Sequence, residues 1–336
     1  MMDRCLRDDY WHLLCHRTEL PKNGDFMRLR WLGDDVVVAN DDGELIVFDN
    51  ICPHRGARFF STDVGNSPIS CPYHGWTFCA GKLYIPCINK FNTEEISRSK
   101  IGTLQTAWCG DFLFAAITPL QSIENQLSSF YEIVASISMD ISGRHDWNAY
   151  TYECDWKIAV ENALDSLHIR FVHAESLARL QLEDERNQFV GNNTGVTFEI
   201  GNLQMYKRLN AMSRMFNVTE QFKGYMNIYL FPFSMLSSTF GYSYSLQSFF
   251  PAKEPGKTQF YSRLLKGVLR PGVDASAMQH FFDSTAQVNR MVFEEDHAVC
   301  RQIDDTRYDW HDLSRLSSDE EKIAHFRRSL QSVTSR

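Results

Sequence analysis

The chain is short of cysteine, proline and glycine, with 9, 10 and 18 of them among 336 residues. Nine cysteines are too thinly spread for a disulfide scaffold and their odd number leaves at least one unpaired, so a reducing compartment is expected. The low Pro and Gly content, with 43% hydrophobic and 23% charged residues, excludes collagen-like and disordered classes. Basic residues are in deficit: 34 Lys and Arg face 42 Asp and Glu, a net charge of -8. Such a field repels polyanions, so neither nucleic acid nor an anionic membrane is expected as partner. The first ten residues carry Asp3, Arg4, Arg7, Asp8 and Asp9 and no apolar stretch, so a secretory signal is not expected and the protein reads as cytoplasmic. The sequons at Asn192 and Asn217 then remain unmodified.

One run lacks charge altogether, from Gly224 to Ala252, and its length suggests a membrane span. Pro232, Gly241 and the serines and threonine at 234, 237, 238, 239, 243 and 245 break any lipid-facing helix. Tyr242 to Phe250 alternates apolar side chains with Ser and Gln, the period of a strand with two unlike faces. The run reads as a pair of neighbouring strands whose aromatic residues serve equally as pocket lining or as core.

The length suggests two domains. Short strands at Met27–Trp31, Val36–Ala39 and Leu45–Phe48, separated by Gly33-Asp34-Asp35 and Asn40-Asp41-Asp42-Gly43, give a small antiparallel β region. Phe112–Ile117 reads as a strand stopped by Pro119, and residues 120–147 as a polar connector, which places the boundary at 118/119. Beyond it come a strand at Tyr150–Cys154, a helix from Trp156, further strands, and helical periodicity again only after Ala275. The fold class is α+β.

The strongest motif is Cys52-Pro53-His54-Arg55 followed by Cys71-Pro72-Tyr73-His74-Gly75-Trp76. Two thiolates on one iron and two imidazoles on the other make a Rieske [2Fe–2S] centre, so each loop supplies one ligand to each iron. Zinc also accepts two Cys and two His, but zinc modules pair like with like in sequence, and here each loop mixes the two.

On these residues, with Arg55 and the His74-Gly75-Trp76 run, the sequence resembles the catalytic α subunits of the Rieske non-haem iron oxygenases over nearly its whole length. The resemblance implies a Rieske domain with an N-terminal extension at 1–118. It implies a catalytic, mononuclear non-haem iron domain of helix-grip type at 119–336, an antiparallel sheet flanked by helices. Cys52, His54, Cys71 and His74 take the family's cluster-ligand places.

A second constellation lies in Glu161-Asn162-Ala163-Leu164-Asp165-Ser166-Leu167-His168, with His173 beyond. At 100° per residue Asp165 and His168 share a helical face. The i,i+5 spacing of His168 and His173 is not that of the His-Glu-x-x-His zinc helix and needs a helix end or a π-bulge to aim both rings at one metal. Two histidines and a carboxylate form the facial triad of non-haem Fe(II) oxygenases. The resemblance maps the family's Asp-x-x-His-x4-His onto Asp165, His168 and His173 and its distant third ligand onto Asp296, with Glu294, Glu295 and Asp304 as neighbouring acids. It also implies that Asp165 bridges His168 to His74 of a neighbouring subunit in a head-to-tail homotrimer, and it sets Asn162 near the iron.

No Gly-x-Gly-x-x-Gly follows a strand, and Gly256-Lys257-Thr258 lacks the upstream glycine of a P-loop. Electrons are therefore expected from a ferredoxin or ferredoxin reductase, and indirectly from NAD(P)H. Arg55, Arg58, Lys82, Lys90, Arg98 and Lys100 offer a docking patch. The resemblance implies an oxygenase using O2 on a small organic, possibly aromatic, substrate. The single-subunit length favours monooxygenation or demethylation over ring dihydroxylation. The competing expectation is a non-catalytic Rieske electron-transfer protein with a binding domain.

Overall fold

The computed structural model describes residues 2–92, 94, 96, 99–219, 222–304 and 306–334. The first strand, β1 (His12–His16), pairs with a strand far along the chain. The next three, β2 (Asp25–Trp31), β3 (Asp34–Asp41) and β4 (Glu44–Asp49), form the expected meander, and β5 (Val64–Asn66) joins its edge. Gly33 and Gly43 turn it at φ 88° and 94°, conformations that cost a side-chain-bearing residue energy and glycine almost none. A small sheet of β6 (Ile69–Ser70), β7 (Thr77–Cys79) and β8 (Lys82–Tyr84) follows. Then β9 (Gln105–Cys109) and β10 (Phe112–Ala116) return to β1 in the order β1-β10-β9.

The remainder is built on one antiparallel sheet of β11 (Ile141–Tyr152), β12 (Leu182–Val190), β13 (Asn193–Ile200), β14 (Tyr225–Leu230), β15 (Ser234–Thr239), β16 (Ser243–Pro251) and β17 (Thr258–Gly267). Their order is β11-β17-β16-β15-β14-β13-β12. The uncharged run forms three adjacent strands rather than the expected pair, because it turns twice, at 231–233 and at 240–242; no helix among the described residues is long and apolar enough to cross a membrane.

Its period of two resolves the choice between core and pocket, because each face takes one role. Met226, Ile228, Leu230, Leu236, Tyr244 and Leu246 pack with Phe130, Val134 and Ile137 of the helix Phe130–Met139 in one hydrophobic cluster. Tyr225, Asn227, Met235, Gln247 and Phe249, at alternate positions, face the helices Trp156–Leu164 and Gln279–Cys300. There Phe260 meets Phe293 edge-on at 5.0 Å and Trp156 meets Phe326 of the helix Glu321–Thr334 at 6.0 Å.

The two parts share a continuous core: Met27, Leu29 and Val36 of the meander pack in one cluster with Phe250 and Tyr261 of the large sheet. Arg263 is fully buried at this junction, with Glu19 at 3.7 Å and the Leu14 carbonyl and Ser248 Oγ as acceptors. A cleft of about 540 Å³ lies at the same junction, lined by Arg28, Asp35, Arg58, Glu254 and Lys257, and it contains none of the candidate ligands.

Two expectations are corrected. Residues 120–147 are not a loose connector, since they form the helices Ile123–Leu127 and Phe130–Met139 and the start of β11. Helix also returns before residue 275, at Leu203–Ser213, where Asn202 Oδ1 caps the amides of Gln204 and Met205. Both were obscured by serine and charge at positions that tertiary packing, not local pattern, commits to helix.

Candidate metal centres and the pocket between helix and sheet

The two Cys-His loops fold alike. The Cys52 amide donates to Ala57 O at 2.8 Å and the Gly56 amide to Cys52 O at 2.9 Å; in the second loop Cys71 donates to Trp76 O and Gly75 to Cys71 O at the same distances. Gly56 and Gly75 have φ of 75° and 69°, the conformation that lets each loop close around a ligand. The loops face each other. Cys52 and Cys71 are buried, the His54 and His74 rings lie 4.7 Å apart, and Trp76 stacks on His54 at 7°. Burial raises the Cys52 thiol, the His54 amide pulls it down, and the neighbouring Cys71 raises it.

Two sulfurs inside, two imidazoles at the rim and a buried His54 Nδ1 without a partner among the described residues fit a Rieske cluster's donor set. Of the basic residues near these loops, Arg55, Arg58, Lys82, Lys90 and Lys100 are exposed. Arg58 is tied to Asp35 at 2.8 Å, and Arg98 lies outside the described residues.

The second centre forms where a helix stops. Asp155 Oδ1 caps the helix Trp156–Leu164, which ends with Asp165 in extended conformation, ψ 126°. Asp165 and His168 are therefore not on one helical face, contrary to the 100° reading. Instead, Asp165 Oδ1 accepts from the Leu167 amide at 2.7 Å, and its Oδ2 lies 3.7 Å from His168 Nδ1. A single turn, Ile169–Val172, then brings His168 and His173 together, which is the helix end that the i,i+5 spacing requires.

His168 Nε2 and His173 Nε2 stand 3.0 Å apart, and Asp296 Oδ1 lies 3.3 Å from the first and 3.0 Å from the second. Three donors held in mutually cis positions by bonds of about 2.1 Å are separated by about 3 Å, so the set fits a metal. Burial works to raise the Asp296 carboxyl, and the two histidines outweigh it, holding it at about 2.

Neighbours orient each donor, as metal ligands require. Asn162 Nδ2 donates to Asp296 Oδ1 at 2.8 Å. Glu295 Oε2 takes His173 Nδ1 at 2.7 Å and the Ser176 hydroxyl at 2.8 Å. The acids weighed against Asp296 lie elsewhere: Glu295 serves the far nitrogen of His173, and Asp304 Oδ1 accepts from the amide and hydroxyl of Thr306. The second role of Glu295 was missed in the sequence; the acidic run Glu294-Glu295-Asp296 was its only signal.

Beside the triad lies a cavity of about 70 Å³ walled by Val196, Phe198, Tyr225, Asn227 and Met235 from the sheet and Phe293 from the helix. Lys322 also borders it, but its ammonium is held by Glu185 and by Ser166 Oγ at 3.3 Å. Gly256-Lys257-Thr258 sits in the β16–β17 turn, with Lys257 paired to Glu153 and Glu254, and is no nucleotide site.

Residues 10–93 match the Rieske [2Fe-2S] domain, and residues 152–336, more than half of the chain, match the vanillate O-demethylase oxygenase C-terminal domain. The chain belongs to the family of Rieske oxygenase α subunits. The family carries a Rieske cluster and a mononuclear iron, uses O2 and draws its electrons from a partner. Among curated relatives, the anthranilate 1,2-dioxygenase large subunit of Acinetobacter baylyi is 28% identical over 54% of this chain and 41% of its own length. The chloroplastic choline monooxygenase of Arabidopsis thaliana is 28% identical over 52% and 45%. The chain thus spans less than half the length of these relatives.

The fold matches the quaternary ammonium Rieske monooxygenase CntA, solved with L-carnitine, at TM-score 0.72 and 19% identity over 97% of this chain and 88% of that one. It matches naphthalene 1,2-dioxygenase from Rhodococcus sp. at TM-score 0.73 and 16% identity over 100% and 92%.

Proposed function

We propose that the chain is a terminal oxygenase component that hydroxylates or oxidatively demethylates a small organic, ring-bearing substrate. It uses O2 and electrons from an external ferredoxin or ferredoxin reductase fed by NAD(P)H. The observation that carries this reading is the shared cavity, with His168, His173 and Asp296 on one wall and Val196, Phe198 and Tyr225 on the other. When bound, the cluster supplies single electrons and the mononuclear iron the oxygen chemistry.

The chain supplies the rest. Cys52, His54, Cys71 and His74 hold the cluster, and His168, His173 and Asp296 hold the iron. Asn162 and Glu295 fix the orientation of the carboxylate and of the His173 ring. The apolar wall excludes water from the reacting carbon.

In this reading Asp165 links His168 to His74 of an adjacent subunit, so that electrons cross between copies of a homotrimer. Exposed apolar side chains beside both centres support an interface there: Ile51 and Tyr73 by the Cys-His loops, 53% and 56% exposed, and Phe171 by the histidines, 74% exposed. A solved relative with a TM-score of 0.72 is described in terms of inter-subunit electron transfer. The same reading divides the chain at 118/119, between the two matched segments, and keeps it in the cytoplasm.

Demethylation is preferred because the matched C-terminal family is that of vanillate O-demethylase. The test supplies NADH, a ferredoxin reductase and a panel of methoxy- and N-methyl-arenes to the iron-replete protein. Formaldehyde released in step with O2 uptake supports the reading. A cis-diol without formaldehyde reassigns it to ring dihydroxylation, and O2 uptake that no compound stimulates contradicts it.

A further inference from the structure

In a sheet that is half core and half pocket wall, polar side chains on the wall need partners, because a buried amide without one keeps its full desolvation penalty. Asn227 sits at such a position. Strand alternation turns it to the cavity with Tyr225, and it is 9% exposed. Its Nδ2 donates to Met235 Sδ at 3.0 Å. A thioether sulfur only accepts, so this contact fixes which way round the amide stands. Oδ1 is then the free end, and it accepts no hydrogen bond from any described residue.

Around it the wall is mostly apolar: Val196, Phe198, Met235 and Phe293 border the same space, with Tyr225 and Gln247 as its other polar members from the sheet. The one cationic side chain bordering the cavity among the described residues, Lys322, is already neutralised by Glu185. No cationic side chain among the described residues is therefore left to neutralise a substrate carboxylate, while the Asn227 carbonyl remains to receive a proton donor.

We propose that Asn227 determines substrate specificity, its Oδ1 accepting the O–H or N–H of a compact, uncharged, ring-bearing substrate held beside the iron ligands. The proposal rests on the oxygenase reading of the site and narrows its substrate class. A site built to pair with a polar group rejects the isostere that lacks it, because the site's own acceptor is then buried unpaired.

The test uses phenol and toluene, which differ by one hydroxyl against one methyl, as probes of the iron-replete protein. Binding is measured anaerobically by equilibrium dialysis, without turnover. Toluene is the more hydrophobic, so the quantity read is how the ratio of the two dissociation constants changes with the variant.

In Asn227→Leu the preference for phenol relative to toluene is expected to fall by about tenfold, the size of one hydrogen bond, with toluene bound at least as well as before. Asn227→Val, suited to a strand, repeats the comparison should the leucine variant fold poorly. An unchanged ratio in the folded variant, or a wild-type protein that binds neither probe, overturns the proposal. Iron content and the Rieske spectrum are recorded on the same samples. Absent mononuclear iron marks a failure of the oxygenase reading, whereas full iron with an unchanged ratio marks a failure of this one.

Discussion

Glu295 grips the imidazole of His173 from behind: its Oε2 takes Nδ1 at 2.7 Å, while the opposite nitrogen of the ring stands 3.0 Å from Asp296 Oδ1. Two consecutive acids on one helix therefore take different places, one in the candidate ligand set and one behind it. Carboxylates behind a ligating histidine fix its tautomer and strengthen it as a ligand, and their loss commonly weakens metal affinity about 10–100-fold. Glu295→Gln is expected to lose mononuclear iron on dialysis by a factor in that range while the Rieske spectrum stays intact. Undiminished iron retention would show that Glu295 only fills space.

Asp165 is placed to act on His168 without touching the triad, 3.7 Å from the ring nitrogen that faces away from it. Asp165→Asn is expected to keep both metals and to abolish substrate-dependent oxidation of the reduced Rieske centre. Stopped-flow absorbance of the cluster under O2 follows this directly, and a rate equal to that of the wild type contradicts the bridging role.

The helix Glu321–Thr334 is clamped to the helix that precedes His168 and His173 by Arg327, whose Nε and Nη2 meet the two Glu161 oxygens at 2.7 Å each. Both side chains are 10% exposed. Removing one partner of a buried pair leaves an uncompensated charge and costs about 3–5 kcal/mol, whereas replacing both with apolar residues recovers much of it. Urea unfolding of Arg327→Leu and of the double variant Glu161→Leu/Arg327→Leu is expected to show this order. A single variant as stable as the wild type would show the pair to be idle.

His12 couples stability to pH. It is buried against Phe233 and Trp31, and burial lowers it to about 4 from 6.5, against the pull of the Arg7 carbonyl. Its folded pKa lies below the unfolded one, so between these values the unfolded chain binds more protons. The stability is complete above about pH 6.5 and is lost as the pH falls toward 4, reaching about 2 kcal/mol by pH 5. His12→Leu is expected to remove that part of the loss between pH 7 and pH 5 in urea unfolding. An identical slope in variant and wild type contradicts it.

What the sequence disclosed was what it encodes locally. The Cys52–His54 and Cys71–His74 loops carry their chemistry within a few residues, and the Gly33 and Gly43 turns mark the meander. The alternation from Tyr242 to Phe250 announces a two-faced strand. Relations between distant segments stayed hidden. No local pattern distinguishes Glu295 from Asp296, because only the position of His173, more than a hundred residues earlier, separates their roles. The helices at 123–139 and 203–213 are committed by the sheet they cover. The break at Asp165 depends on an extended residue inside what reads as a continuous apolar helix. Asn227 had no signal at all, since its importance lies in an Oδ1 that no described residue partners.

The central claim is that one chain carries two different iron centres. Quantifying iron and acid-labile sulfide in the anaerobically prepared protein, with EPR of the dithionite-reduced sample, tests it most directly. About three irons and two sulfides per chain with a Rieske signal are expected, falling to about two irons with the signal unchanged in His168→Ala. Two irons and two sulfides in the wild type, persisting after anaerobic Fe(II) reconstitution, would contradict it and leave an electron carrier in place of an oxygenase.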